Sequence, residues 1–208
     1  MQNIEGVLYL NLAHRVDRKK RLEGELQRLA FDPQKVTRIE AHFDELNGHR
    51  GCAKSHALAL DHALRHNLQN ALILEDDCFF SKSRLEVTAY VETFLAFAGG
   101  NWDVLFLGGN LKSSEATAHP AYLRVFSCLN AHAYLVNGPY FARLRDLFLR
   151  CYESMSQDFI FLHSSKRALD VQWEELMRRD RWFIGKEPLA MQSRGYSDIE
   201  KRVRALRY

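Results

Sequence analysis

An α/β fold, with helices on the faces of a mixed, mainly parallel sheet, is what the order of apolar segments predicts. Short apolar runs of strand length alternate with stretches whose leucines and alanines recur at helical spacing, in the order β-α-β-α-β. No Pro/Ser-rich linker interrupts that order, so residues 1–208 read as one domain. A chain of this length can bury about 70% of the surface it exposes when unfolded.

The first strand is Val7 to Leu10, ending at Asn11. A helix follows from Val16 to Ala30, with Leu22, Leu26 and Leu29 at i, i+4, i+7 facing the sheet. Pro33 marks its end, and Val36 to Ala41 reads as a second strand. Gly48 and Gly51 punctuate a loop before a helix from Cys52 to His66, whose stripe is Ala53, Ala57, Leu60 and Leu64. Ala71 to Leu74 is a buried strand, and Arg84 to Ala98 a helix closed by Gly99-Gly100. Trp102 to Leu107 is a strong strand that Gly108-Gly109 should break, leaving 110–120 as a polar loop. Tyr122 to Ser127 and Ala131 to Val136 look like two paired strands. Asn137-Gly138-Pro139 turns into a helix ending near Arg150. Residues 154–165 have no clear pattern, Asp170 to Arg179 is helical, Trp182 to Ile184 is a strand, and the tail beyond Gln192 is irregular.

Composition narrows the function classes. With 47% hydrophobic, 12% aromatic and 26% charged residues, the chain fits an ordinary soluble globule. No apolar run approaches the ~18 residues of a membrane span. The N-terminus has no basic segment followed by a long apolar one, so a cytoplasmic location is expected. Cys52, Cys78, Cys128 and Cys151 are far apart, which argues against a zinc knuckle or a disulfide scaffold and for free, mostly buried thiols. Net charge is only +3, but its distribution is uneven. Arg15, Arg18, Lys19, Lys20 and Arg21 surround a single acid, Asp17, and the segment from Arg178 to Tyr208 holds nine Lys/Arg against four Asp/Glu. Such clusters suit phosphates of a nucleotide, a nucleic acid or lipid head groups, or are plain solvated helix faces. The basic tail is also a candidate for peripheral contact with the inner face of a membrane.

The most informative run is Leu74-Glu75-Asp76-Asp77, where a buried strand surfaces. Strand alternation would put Glu75 and Asp77 on one face and Asp76 on the other. If a diphosphate docked there, each like-charge contact at 4 Å would cost about 4 kcal/mol at an effective dielectric near 20. A divalent cation removes that penalty, and oxygen-only ligands favour Mg²⁺ or Mn²⁺. The bland alternative is a solvated strand end. Two other segments could converge with it where open α/β sheets place ligands: 11–18, directly after the first strand, and 51–56, opening a helix. Arg15 and Arg18 could clasp phosphate oxygens, and the helix N-terminus near Gly51 would add N–H donors.

Residues 11–18 read Asn-Leu-x-x-Arg-x-Asp-Arg, and residues 51–56 read Gly-Cys-x-x-Ser-His. The apolar strand ending in Glu-Asp-Asp comes next, then Trp102-Asp103 with Leu107-Gly108, His132-Ala133-Tyr134-Leu135, and Gln192 followed by Tyr196-Ser197-Asp198-Ile199. In that order these blocks resemble glycosyltransferase family 25, which includes bacterial lipooligosaccharide and procollagen galactosyltransferases. The resemblance covers nearly the whole chain and implies a GT-A-like (Rossmann-like, nucleotide-sugar-binding) fold. It also implies a UDP-sugar donor, Mn²⁺ or Mg²⁺, and inversion at the anomeric carbon. It makes Asp77 the leading metal ligand, with Glu75 a second ligand or a holder of the ribose. Asn11, Arg15, Arg18, Ser55, His56, Glu75 and Asp76 become the nucleotide-sugar set. Inversion needs a base for the acceptor hydroxyl. Asp170 matches a family aspartate, with Glu174 one turn on as reserve; a plain N-cap is the other reading of Asp170. His56 either orders the metal loop, touches the nucleotide or is a satisfied structural histidine. His132 should be a packing residue. Tyr9, Trp102, Tyr134 and Trp173 are core or acceptor-wall aromatics. Ser197 and Asp198 lie in a tail that could close over the donor.

The resulting expectation is a metal-dependent inverting hexosyltransferase of the lipopolysaccharide-biosynthesis type, with galactose ahead of glucose. Its acceptor would be a glycan or a hydroxylysine-type protein hydroxyl, and no nucleic acid is expected. The competing readings are a nucleic-acid-binding module, whose affinity would fall steeply with salt and ignore metal, and a member that binds nucleotide sugars without turnover.

Overall fold

The computed structural model describes residues 3–155, 164–193, 195–199 and 202–204. Its central sheet is built from β1 (Gly6–Asn11), β2 (Val36–Glu40), β3 (Asn70–Glu75), β5 (Val104–Ala116), β6 (Tyr122–Asn137) and β7 (Trp182–Gly185), in the order β2-β1-β3-β6-β5-β7. β1 runs parallel to both β2 and β3, and β5 runs parallel to β7. β6 is antiparallel to β3, β5 and β7, so five strands share one direction and β6 opposes them. Two small ribbons pair β4 (Cys78–Phe80) with β8 (Ala190–Gln192), and β9 (Gly195–Ser197) with β10 (Arg202–Arg204).

Alternation along the strands divides the core in two. Leu8, Leu10 and Ile73 join one apolar cluster; Val7, Tyr9, Leu72 and Leu74 join the other. Helices α1 (Val16–Arg28) and α3 (Arg84–Ala98) cover the second face through Leu22, Leu26, Val87, Val91 and Phe94. Helices α2 (Gly48–Arg65) and α4 (Phe141–Met155) cover the first, with the short α5 (Leu169–Gln172) and α6 (Glu174–Arg179) beside them. Burying each such leucine stabilises the fold by about 1.5–3 kcal/mol. Local signals agree with the packing: Ser83 and Glu86 form a reciprocal capping box at the start of α3, and Gly99 ends it at φ 56°.

Four sequence expectations are corrected. First, α2 begins at Gly48 instead of Cys52, capped by Asn47, whose side chain accepts from the Arg50 N–H. Gly51 lies inside the helix, where a Cβ would come within 2.7 Å of the His42 carbonyl oxygen. Second, Gly108-Gly109 does not end the strand: β5 continues to Ala116, with register shifts around both glycines. A Cβ at Gly108 would collide with the Ala190 carbonyl, so the glycines mark a bulge under a crossing segment. Third, the two strands expected at 122–127 and 131–136 are one, β6, kinked where Asn130 takes φ 72°. Fourth, the helix expected over Asp170–Arg179 is split at Trp173, and part of the tail forms β9 and β10. Most of the patternless 154–165 stretch, and of the basic tail beyond 199, lies outside the described residues.

The four cysteines form no disulfide with one another; Cys78, Cys128 and Cys151 are buried and Cys52 partly so. No described helix is long and apolar enough to cross a membrane.

Candidate active site

The parallel strands β1, β2 and β3 end side by side at Asn11, Glu40 and Glu75, the position at which open α/β sheets bind ligands. A cleft of about 680 Å³, its open mouth included, lies over these ends and against the first turns of α2. Among the described residues, its wall holds five carboxylates (Asp44, Glu75, Asp76, Asp77 and Asp198) but one guanidinium, Arg18.

The acidic run does not alternate as a strand would. β3 ends at Glu75, and Asp76-Asp77 form the turn into β4. Both aspartates therefore reach the same partner: Arg18 donates to Asp76 at 2.9 Å and to Asp77 at 3.4 Å. The second Asp76 oxygen accepts from Asn11 Nδ2 at 2.8 Å, and Asn11 Oδ1 accepts from Arg38. Burial pushes the Asp76 carboxyl above its ordinary value, with Arg18 and Asn11 opposing it. Glu75 turns instead toward α2. It accepts from Gln192 Nε2 at 3.1 Å and sits 3.3 Å from His56 Nε2, while His56 Nδ1 is 2.7 Å from the Tyr134 hydroxyl.

The arginines expected to grip phosphate are committed elsewhere. Arg15 pairs with Asp17 and Asp198, and Arg18 also donates to the Tyr196 carbonyl at 2.6 Å. Together they tie the 195–199 segment across the cleft, so that Ser197, Asp198 and Ile199 form part of its wall. Ser55 is a brace: its hydroxyl donates to the Gly51 carbonyl and accepts from the His42 N–H. Asn11, Ser55 and His56 are almost fully buried; Ser55 and His56 form part of the cleft wall, and Asn11 supports it from behind.

A second cavity of about 420 Å³ shares Cys52, Glu75 and Ile199 with the first, and Asp170 lies on its wall. Asp170 is not the N-cap of α5; that position is Ala168. Its carboxylate accepts from the backbone N–H of Asn130, at the kink in β6, at 3.0 Å. Glu174 lines neither cavity and pairs with Arg178 along α6, so the reserve base is set aside. Tyr9, Trp102, Tyr134 and Trp173 are all core, and the Trp173 indole donates to the Cys128 carbonyl. His132 is buried as expected, and burial pushes its imidazole below the ordinary value.

Sequence reading missed three participants. Asn130 and the position of Gln192 against Glu75 depend on contacts across the fold, whereas Asp44 has local partners and the Asp-x-x-Asn spacing at 44–47 hints at its capped helix start. Asp44 accepts from the backbone N–H groups of Leu46 and Asn47 and pairs with Arg50 at 2.7 Å. Burial pushes its carboxyl up, but the Asn47 N–H and the Arg50 guanidinium outweigh it and hold it below its ordinary value. Its folded value lies below its unfolded one, so it contributes stability above pH 3.8 that is lost as pH falls through the folded value. Asp44→Asn should thus cost about 1–2 kcal/mol at pH 7. Melting curves from pH 7 to pH 2 should show native and variant proteins converging at the acid end. A pH-independent gap would remove ionisation from the account.

Comparisons with known proteins bear on the family and the fold. The pattern of the family described as glycosyltransferase family 25 (LPS biosynthesis protein) matches residues 16–132, more than half of the chain. No curated protein sequence matches. Among solved structures, a mannose-1-phosphate geranyltransferase from Thermus thermophilus is similar at TM-score 0.53 and 12% identity, over 88% of this chain and 73% of that one. A glycosyltransferase involved in glycosylation of the major capsid of PBCV-1 is similar at TM-score 0.48 and 9% identity, over 86% and 92%. At such identities the likeness concerns the fold alone.

Proposed function

We propose that this chain, which belongs to glycosyltransferase family 25, moves a hexose from a UDP-linked donor to a hydroxyl of a glycan or a hydroxylysine-type side chain, with inversion. Galactose is the leading sugar and glucose the next. The observation that carries the reading is the pair of adjoining cavities: one bears the acidic turn at the strand ends, the other bears Asp170, and Cys52, Glu75 and Ile199 border both.

The donor set of the first cavity fits a hard divalent cation, Mn²⁺ or Mg²⁺. At the turn Glu75, Asp76 and Asp77 face one guanidinium, Arg18, an excess of negative charge that would repel a diphosphate. Asp77 is the proposed leading ligand. Glu75 was the expected second ligand, but it turns toward α2, beside Cys52 and His56, so the remaining positions would go to diphosphate oxygens and water, as is usual for Mg²⁺. When bound, such an ion neutralises charge on the departing nucleotide. Arg18 fixes Asp76 and Asp77 in the turn, and the 195–199 segment narrows the mouth. In the second cavity Asp170, oriented by the Asn130 N–H, takes the proton of the acceptor hydroxyl as it attacks.

Nucleic acid suits the cleft poorly, because Arg15 and Arg18 are spent on carboxylates. Thermal melting with UDP, with and without Mn²⁺, tests the reading. Ligand at a hundred times its dissociation constant adds about 2.7 kcal/mol. For a chain of this size that is a rise of about 5–10 °C. No rise with Mn²⁺ present, or an equal rise after chelation, counts against the transferase. UDP release from a panel of UDP-sugars would then identify the donor.

A further inference from the structure

We infer that Cys52, His56 and Glu75 form a binding site for a thiophilic divalent cation of the zinc class, separate from the all-oxygen acids at the turn. Cys52 and His56 are four residues apart on α2 and so lie on one face, opposite the end of β3. Their ligand atoms and a Glu75 oxygen all lie within 4.8 Å of one another. Glu75 Oε1 is 3.3 Å from His56 Nε2 and 3.9 Å from Cys52 Sγ. A tetrahedral zinc ion, with bonds of about 2.0–2.3 Å, spaces its ligand atoms about 3.3–3.6 Å apart. The imidazole–carboxylate spacing already matches, and the thiol must move closer for the ion to bind.

His56 and Glu75 each have a supporting partner of the kind metal ligands rely on. Tyr134 Oη lies 2.7 Å from His56 Nδ1, and Gln192 Nε2 donates to the other Glu75 oxygen. Both supporting side chains are buried. With Nδ1–H donated to Tyr134, the Nε2 lone pair points toward Glu75 and can take a cation. Binding would then release the Cys52 thiol proton to solvent.

Ligand type sets the class of ion. A thiolate with an imidazole selects zinc over magnesium or manganese, which prefer oxygen. Three protein ligands leave a fourth position, and Cys52 and Glu75 both border the two cavities, so that position faces substrate space. An ion here would sit where the two cavities meet. The binding claim does not depend on the transferase reading.

Cobalt(II) is the probe, because a cobalt–thiolate bond gives a charge-transfer band in the near ultraviolet. The whole chain titrated with Co²⁺ should show that band at one equivalent, lost on adding Zn²⁺ and kept with equimolar Mn²⁺. Cys52→Ser should abolish it. Gln192→Ala, which removes only a supporting partner, should weaken Co²⁺ binding by about 10–100-fold. The Gln192 variant keeps the test decisive if Cys52→Ser does not fold. Absence of the band in the native protein, its survival in Cys52→Ser, or its loss with Mn²⁺ as readily as with Zn²⁺ each overturns the site.

Discussion

Asp77→Asn is expected to lower turnover of the UDP-sugar by about 10²–10³-fold, the range seen when one stabiliser of developing charge is removed. The substitution keeps the shape of the side chain and deletes its charge. The proposed cation loses its leading ligand, and the Mn²⁺-dependent part of the UDP-induced rise in melting temperature should vanish with it. The fold should survive, since Arg18 keeps its closer partner, Asp76 at 2.9 Å against 3.4 Å for Asp77. Removing the only partner of a buried charge costs about 3–5 kcal/mol, but here one carboxylate remains. A Tm within about 2 °C of native, with UDP release reduced, is the expected pair of results. Undiminished release would take Asp77 out of the mechanism.

How much of this was legible beforehand depends on the range of the interaction. The strands that read correctly, such as Ala71–Leu74, are four or more consecutive buried apolar residues, and α1 shows its leucines at strict helical spacing. These are properties of ten-residue windows. Gly108-Gly109 defeated the same reasoning because their meaning comes from Ala190, some eighty residues later, which crosses over the strand. Nothing near Gly108 distinguishes a bulge from a break.

The site follows the same rule. The family motifs pointed to the residues but assigned them individual roles. The fold instead joins Asn11, Arg18 and Asp76 in one buried network, with separations of 58 and 65 positions, and spends the arginines on carboxylates. The expected split of Glu75 and Asp77 from Asp76 failed because strand geometry stops at Glu75, and a turn obeys no two-residue period. Glu75 then falls to whichever polar groups α2 and β8 present, here His56 and Gln192. No local pattern encodes that choice.

Asp170→Asn should lower turnover by about 10²–10⁴-fold, the contribution usual for a positioned base. The residue is well placed to be tested cleanly. Its carboxylate accepts from the Asn130 N–H, and an asparagine carbonyl can accept the same bond, so the kink in β6 and the wall of the second cavity should persist. The proposed function puts the donor in the other cavity, so the UDP and Mn²⁺ melting shift should match the native one even as kcat collapses. That separation distinguishes a lost base from a damaged site: a structural role would lower both. Glu174→Gln is the control. Glu174 pairs with Arg178 on α6 and borders neither cavity, and exposed pairs of this kind contribute about 0.3–0.5 kcal/mol, so kcat should change by less than about two-fold. If Asp170→Asn retained more than about a tenth of native kcat while Glu174→Gln lost it, the proton would be leaving by a route that the second cavity does not contain.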